Sequence, residues 1–312
     1  MASKPRRSSL LKFHRPKLSF DDAPLPPLKP ESKQCLQNLL AYRPPRQNLI
    51  FPKTRSAGVL VALFVGRMGD LYVLLSQRAA TLRTYAGDTS LPGGRWEKGD
   101  RNIEYTARRE AFEEIGLPVD PRKVPLLCIL EPFLSGNMTV VTPVVVLVVD
   151  NTLRPILNAP EVAALFSHPL KSFLHEESPF PMAPETLEQP YHSSIDINWH
   201  DRGKIRMHRF LTGREVGGTK PIFGLTASIL IRAAIIGYGR EPDYEVGAPG
   251  QPPLPERLAY SLKNHPVLRE AAQKEGIDPD RSPEAPSQRK VATGDRRRPR
   301  LRRPGSRVRS RL

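Results

Sequence analysis

Gly93-Gly94-Arg95-Trp96-Glu97-Lys98-Gly99-Asp100 and, after eight intervening residues, Arg109-Glu110-Ala111-Phe112-Glu113-Glu114-Ile115-Gly116-Leu117 form the most informative stretch of the sequence. Ile103–Ile115 reads as a helix, stopped by Gly116-Leu117-Pro118, a C-cap glycine followed by a breaker. At about 100° per residue, Glu110, Glu113 and Glu114 share one narrow arc. Ala107, Ala111 and Ile115 occupy the adjoining arc and give the helix a packing side. Like charges at i, i+3 and i+4 repel and weaken a helix, so something should offset them. A divalent cation does so with oxygen ligands: Mg²⁺ takes one or two carboxylates, several waters and phosphate oxygens. Arg109 stands at i, i+4 from Glu113 and can hold it. The glycine loop before the helix lets backbone come close to a metal or a phosphate. These parts suit metal-assisted hydrolysis of a phosphoanhydride.

Outward from this stretch, Ala57–Val65 and Leu71–Leu75 flank Gly66-Arg67-Met68-Gly69-Asp70 and read as a β-hairpin. Residues 76–100 read as loop. Leu126–Leu130 and Val140–Val149 read as buried strands, and Glu161–Phe166 as a short helix before Pro169. Ile195–Trp199 and Ile205–Phe210 flank Asp201-Arg202-Gly203, a second hairpin signal. Leu225–Ile236 is apolar nearly all round and reads as a buried helix closing at Gly237 and Gly239. Leu36, Leu39 and Leu40 mark one face of a short helix stopped by Pro44-Pro45. His168 and Cys128 sit in apolar contexts and read as packing residues. The expected organisation is one α/β domain over 34–240 with a Pro-rich insertion at 176–194. Residues 1–33 read as a disordered basic segment. Residues 241–312 read as a Pro/Arg-rich, largely disordered tail with a weak helix around Leu258–Lys274, broken by Pro266.

The 312 residues carry a net charge of +16. Residues 1–20 contribute +6 and residues 281–312 contribute +10, so the 260 residues between them are neutral. A basic body built for nucleic acid is thereby excluded. No segment reaches the ~20 apolar residues of a membrane span. Two cysteines, Cys35 and Cys128, are too few for a disulfide framework or a structural zinc site, and point to a reducing compartment.

The stretch quoted first resembles the signature of the Nudix hydrolase family: a glycine, five residues, an acid, then Arg-Glu-apolar-x-Glu-Glu-x-Gly-apolar. Arg109 to Leu117 fits the second half at every fixed position. Gly94 and Asp100 keep the five-residue gap, with Asp as the acid and one extra residue before Arg109. The flanks resemble the coenzyme A diphosphatase branch: Leu74, Leu75, Arg78, Leu82, Arg83, Gly87 and Pro92-Gly93-Gly94 before the helix, with Thr106-Ala107 inside it. After it come Ser135-Gly136, Pro143-Val144-Val145, Asn158-Ala159-Pro160-Glu161-Val162, Phe166, Pro169-Leu170 and Ile222-Phe223-Gly224-Leu225-Thr226-Ala227. The resemblance implies an α/β/α sandwich with a mixed sheet and an enzyme that uses Mg²⁺ or Mn²⁺. It implies Glu110 and Glu114 as metal ligands with Glu113 a third, Arg109 orienting them, and Asp100 as the partner of Arg109. The general base is left open between Glu113, Glu114 and Glu161. Arg78 and Arg83 are implied for substrate phosphates, with Gly93 and Gly94 lining the loop. The implied reaction is attack of water on the diphosphate of coenzyme A or an acyl derivative, giving 3′,5′-ADP and a 4′-phosphopantetheine.

The last three residues, Ser310-Arg311-Leu312, resemble the tripeptide read by the peroxisomal import receptor. Peroxisome is therefore the expected location, with the mitochondrion or cytoplasm as alternatives, since the basic N-terminus resembles a presequence interrupted by Pro5 and Pro16. Other substrates stay open: NADH, ADP-ribose or a capped RNA, the last because of the Arg296-Arg297-Arg298 and Arg302-Arg303 clusters. That tail lacks the interleaved aromatics of a single-strand binder, so nucleic acid is not the expected partner. A Nudix fold kept only for binding is the non-enzyme reading. The intact Arg109, Glu110, Glu113 and Glu114 argue against it.

Overall fold

The computed structural model describes residues 25–45, 48–150, 152–180, 189–199 and 203–281. Strand β1 (Ser56–Val65) lies at the centre of a mixed sheet. It turns at Gly66–Asp70 into the antiparallel β2 (Leu71–Arg78), as the hairpin pattern predicts. The short strands β3 (Thr89–Ser90) and β4 (Gly93–Arg95) pair with β2 and β1 respectively. Two segments therefore break up a stretch read as loop. Helix α2 (Ile103–Ile115) follows, counting α1 (Pro30–Ala41) before the sheet. Strands β5 (Leu126–Ile129) and β6 (Phe133–Leu134) lead to β7 (Val140–Leu147), which runs parallel to β1 along its length.

Strand β8 (Val162–Pro169) pairs antiparallel with β2. This corrects the reading of Glu161–Phe166 as a helix. Val162 and Phe166 are both buried and four residues apart, a helical spacing. A spacing of four also keeps two side chains on one face of a regular strand; here the bulge opposite Gln77 and Arg78 turns Val162 into a different core from Phe166. A second, three-stranded sheet contains β9 (His192–Asn198), β10 (Lys204–Phe210) and β11 (Ile222–Phe223). It leads into α3 (Gly224–Tyr238), which ends at Gly239 in the left-handed conformation.

Side chains alternate across a strand, and here the alternation builds two cores. Leu60 and Ala62 of β1, with Val144 and Val146 of β7, pack on Ile103, Ala107, Ala111 and Ile115 of α2. Val61, Leu63, Val145 and Leu147 face the other way, onto Leu36 and Leu39 of α1 and Ile229 and Leu230 of α3. The result is a sheet between helices, the α/β/α sandwich expected. Gly58 lets α2 approach: a Cβ there would lie 2.7 Å from the Ile103 carbonyl oxygen. His168 and Cys128 are buried, the histidine against Tyr191 at 2.7 Å.

Residues 241–281 depart from the reading of a largely disordered tail. Helices α4 (Leu254–Asn264) and α5 (Pro266–Lys274) are amphipathic. Their Leu258, Leu262, Leu268 and Ala272 close a third core with Leu49, Phe51 and Val140. Pro255 lies in the first turn of α4, and Pro266 opens α5. At these positions proline costs no hydrogen bond and starts a helix. Glu275 ties the end of α5 to the entry of β1, accepting from the Lys53 and Thr54 N–H groups at 2.8 and 2.9 Å. At the other end, α1 begins inside the segment read as disordered, at Pro30. In the 176–194 stretch, Tyr191 and His192 are buried, and residues 181–188 lie outside the described residues. So do the Arg-rich clusters and Ser310-Arg311-Leu312. Among the described residues no helix is long and apolar enough to cross a membrane.

Candidate active site

Helix α2 is fixed at both ends by its own sequence. Asn102 caps it, its side chain accepting from the Tyr105 N–H at 2.8 Å. Gly116 ends it with φ at 68°. Just ahead of the cap, Asp100 is buried and accepts from the Glu97 N–H (2.9 Å), the Thr106 hydroxyl (2.9 Å) and Arg109 Nε (3.0 Å). Burial alone would raise its pKa; the Arg109, Glu97 and Thr106 hydrogen bonds outweigh burial and hold the carboxyl below its ordinary value. The extra residue in the signature is absorbed without loss of the Asp100–Arg109 pair.

Arg109 is the hub. Beyond Asp100, its guanidinium donates to Glu113 Oε2 (3.0 Å), Glu110 Oε1 (3.1 Å) and the Arg95 carbonyl (3.0 Å). One cation thus spans the glycine loop, the first acid and two of the three helix glutamates. The bidentate geometry of guanidinium permits this where an ammonium would not. The hydrogen bond with Asp100 does most to hold its proton tightly.

The three glutamates differ. Glu113 is exposed and turned to Arg109. Glu110 is half-buried against Gly94, and burial raises its pKa against the pull of Arg109. Glu114 is the most enclosed, 6% exposed, and accepts the Gly93 N–H at 3.0 Å. Burial, opposed by that N–H and reinforced by the charge of Glu110, pushes its carboxyl up to about 7. Among the described residues no three His, Cys, Asp or Glu side chains form a metal-holding group, consistent with Arg109 engaging Glu113. Glu110 and Glu114 remain, one turn apart, as crowded oxygen donors. A hard divalent cation fits them, since Mg²⁺ needs only one or two carboxylates and completes its shell with water and phosphate.

Glu161 lies beside this pair. The Asn158 N–H donates to the Glu114 carbonyl (2.9 Å), and the Glu161 N–H donates back to Asn158 (2.8 Å). This docks the segment on the end of α2. The Glu161 side chain is exposed, and its charge raises the Glu114 pKa while Arg78 lowers it. Arg78, at the end of β2 opposite Val162, keeps a buried Nε with no hydrogen-bond partner among the described residues. Arg83 is exposed on the following loop, and the structure does not bring it to the cavity.

Next to the site is a cavity of about 1530 Å³, lined by Arg78, Gly93 and Gly94 but by none of the α2 glutamates. Those carboxylates reach the same β4 strand through the Gly93 N–H and the Cα of Gly94. The far walls come from β9, β10, β11, α3 and α4, including Trp199, Phe223 and Arg257. Sequence reading missed Gly58, Trp199 and Arg257. The last two come from elements distant along the chain that carry no local signature.

The NUDIX domain family matches residues 53–187. The chain is 41% identical over 193 residues to Nudix hydrolase 15, mitochondrial, of Arabidopsis thaliana, covering 62% of each protein. It is 46% identical over 94 residues to peroxisomal coenzyme A diphosphatase 1 of Saccharomyces cerevisiae, covering 29% of this chain and 28% of that one. It is 32% identical over 189 residues to peroxisomal coenzyme A diphosphatase NUDT7 of Mus musculus, covering 60% of this chain and 72% of that one. This chain belongs to the Nudix hydrolase family. The matched stretch spans less than two thirds of the plant and yeast relatives' own lengths.

Proposed function

We propose that the protein is a divalent-metal-dependent diphosphatase that hydrolyses the diphosphate of coenzyme A or acyl-coenzyme A to 3′,5′-ADP and an (acyl-)4′-phosphopantetheine. The observation that carries this reading is the crowded Glu110–Glu114 pair, held against the Gly93-Gly94 strand by Arg109 on Glu110 and by the Gly93 N–H on Glu114. The branch motifs on both sides of α2 and the names of the yeast and mouse relatives support the substrate.

Glu110 and Glu114 would hold Mg²⁺ or Mn²⁺, with Glu113 a further ligand once released from Arg109. When bound, the ion supplies the positive charge that the diphosphate and the attacking water need. Arg109, anchored on the Arg95 carbonyl, fixes Glu110, and the Gly93 N–H fixes Glu114, so little reorganisation is left for the reaction. Arg78, without a carboxylate partner among the described residues, would present its guanidinium to the phosphates. Glu161, exposed beside Glu114, is placed to accept the proton of the attacking water, a role for which Glu113 and Glu114 are the other candidates.

The test is a panel of coenzyme A, acyl-coenzyme A, NADH, ADP-ribose and capped RNA, assayed with Mg²⁺ or Mn²⁺. The expected result is release of 3′,5′-ADP from coenzyme A species at the highest kcat/KM. A higher value for another member of the panel would replace the substrate, and no turnover of any would remove the enzyme. Peroxisomal residence belongs to the same proposal. Two relatives are named peroxisomal, and Ser310-Arg311-Leu312 resembles the tripeptide the import receptor reads. Diffuse cytosolic fluorescence of an N-terminally tagged chain, unchanged by Leu312 deletion, would contradict it.

A further inference from the structure

The cavity beside the site is larger than a diphosphate alone requires. Typical ligand pockets run to about 1,000 Å³, and this one reaches about 1530 Å³. Of its lining bases, Lys220 pairs with Asp88, Arg232 with Glu131 and Arg206 with Asp196 outside the lining, Arg209 donates to Gln189, and Arg95 is exposed. Two lining arginines have a buried Nε without a hydrogen-bond partner, Arg78 on β2 and Arg257 on α4. Neither has a carboxylate partner among the described residues. Burial disfavours the charged form of Arg257 and nothing offsets it. A guanidinium in that state lacks an anion.

The two arginines occupy different places. Arg78 ends β2 opposite Val162 and acts electrostatically on Glu114. Arg257 belongs to α4, which packs on α5 and β6 and lies outside residues 53–187. Beside α4, the buried Trp199 contributes an aromatic wall to the cavity, its ring packed edge-on against Tyr260 of the same helix. One cavity thus offers, on two separate elements, two guanidinium groups with a buried, unpartnered Nε, and a flat apolar surface. The proposed substrate has matching parts on one ribose: a diphosphate at the 5′ position, a phosphate monoester at 3′, and an adenine at 1′. A monoester is nearly a dianion at neutral pH.

We infer that Arg257 binds the ribose 3′-phosphate of the substrate, making α4 a specificity element for 3′-phosphorylated adenine nucleotides. This rests on the coenzyme A reading above. Arg78 is left to the diphosphate, and Arg257 distinguishes coenzyme A from its dephospho form.

Binding rather than turnover tests it. Titration of the full chain in metal-free buffer with 3′,5′-ADP and with 5′-AMP should give affinities that differ by about tenfold or more. Arg257→Met, which keeps the apolar stem, should bring the two within about twofold; Arg257→Lys should retain part of the difference. Thermal melting of each variant reports on folding. Equal affinity of the wild type for both nucleotides would overturn the inference. So would an unchanged difference in Arg257→Met, or an equal loss for both ligands. Failure of coenzyme A hydrolysis in the panel overturns the substrate reading and is scored separately.

Discussion

Replacing Gly94 by alanine should separate the site from the fold. The added Cβ would lie 2.4–2.6 Å from the carboxyl atoms of Glu110. Those atoms must retreat by about 1 Å to reach the 3.4 Å of an ordinary contact. They are the free end of a flexible side chain, so stability should fall by less than about 1 kcal/mol. Misplacing a reacting or ligating group by about 1 Å costs on the order of 10²-fold in rate. Gly93 is the contrast. Its φ is 152°, and a Cβ there would lie 2.4 Å from the Gly58 carbonyl oxygen and 2.6 Å from the Val59 Cα. Both obstacles are backbone of the central strand. Gly93→Ala should therefore cost about 2–4 kcal/mol. The assay is initial-rate release of 3′,5′-ADP, with urea unfolding of the same samples. Wild-type kcat in Gly94→Ala would refute the placement of Glu110, and a destabilisation equal to that of Gly93→Ala would refute the division between side chain and backbone.

The α4–α5 pair should behave as part of the domain. Leu262 is fully buried in its core, so Leu262→Ala should cost about 2–5 kcal/mol, read from urea midpoints; an unchanged midpoint would mean the pair does not support the fold. Acid should weaken the protein through His168. Burial holds its pKa down to about 3, against about 6.5 in an unfolded chain. The unfolded state then binds more protons below about pH 6.5, and stability falls as pH drops from there towards about 3. Glu114, pushed up to about 7, acts with the opposite sign over part of this range, so the comparison is with His168→Phe. Between pH 7.5 and 5 the wild type should lose about 2 kcal/mol more than that variant; equal losses would remove His168 as the cause.

Helix α2 was legible because its signals are local. The apolar row Ala107, Ala111 and Ile115 and the Gly116-Leu117-Pro118 stop all lie within one segment; the Asn102 cap was seen only in the structure. Equally legible was the hairpin of β1 and β2, where alternation and a glycine turn coincide. Strand β8 was misread because the four-residue spacing of Val162 and Phe166 fits helix and strand alike, and the bulge that sends them to different cores carries no sequence signal. Around Leu258–Lys274 the sequence shows a weak helix interrupted at Pro266, where α4 gives way to α5; the tail reads as largely disordered because its prolines, which here begin helices, count there as breakers. Of the site, Arg109, Asp100 and the glutamates came from one contiguous stretch, and the structure joins them. Glu161 is brought alongside by backbone hydrogen bonds to α2 that no sequence pattern announces. Arg83, grouped with Arg78 by proximity along the chain, falls outside the cavity because the chain leaves the sheet after Arg78. Arg257 could be found only once α4 was seen to close that cavity.

The central claim is that the buried carboxylates of α2 carry out diphosphate hydrolysis. It is tested most directly by the rate of 3′,5′-ADP release from coenzyme A, with saturating Mg²⁺ or Mn²⁺, for the wild type and Glu114→Gln. The account predicts turnover by the wild type and a fall in kcat of about 10³-fold or more in the variant, with an unchanged melting temperature. A Glu114→Gln enzyme that releases 3′,5′-ADP at close to the wild-type rate would contradict it.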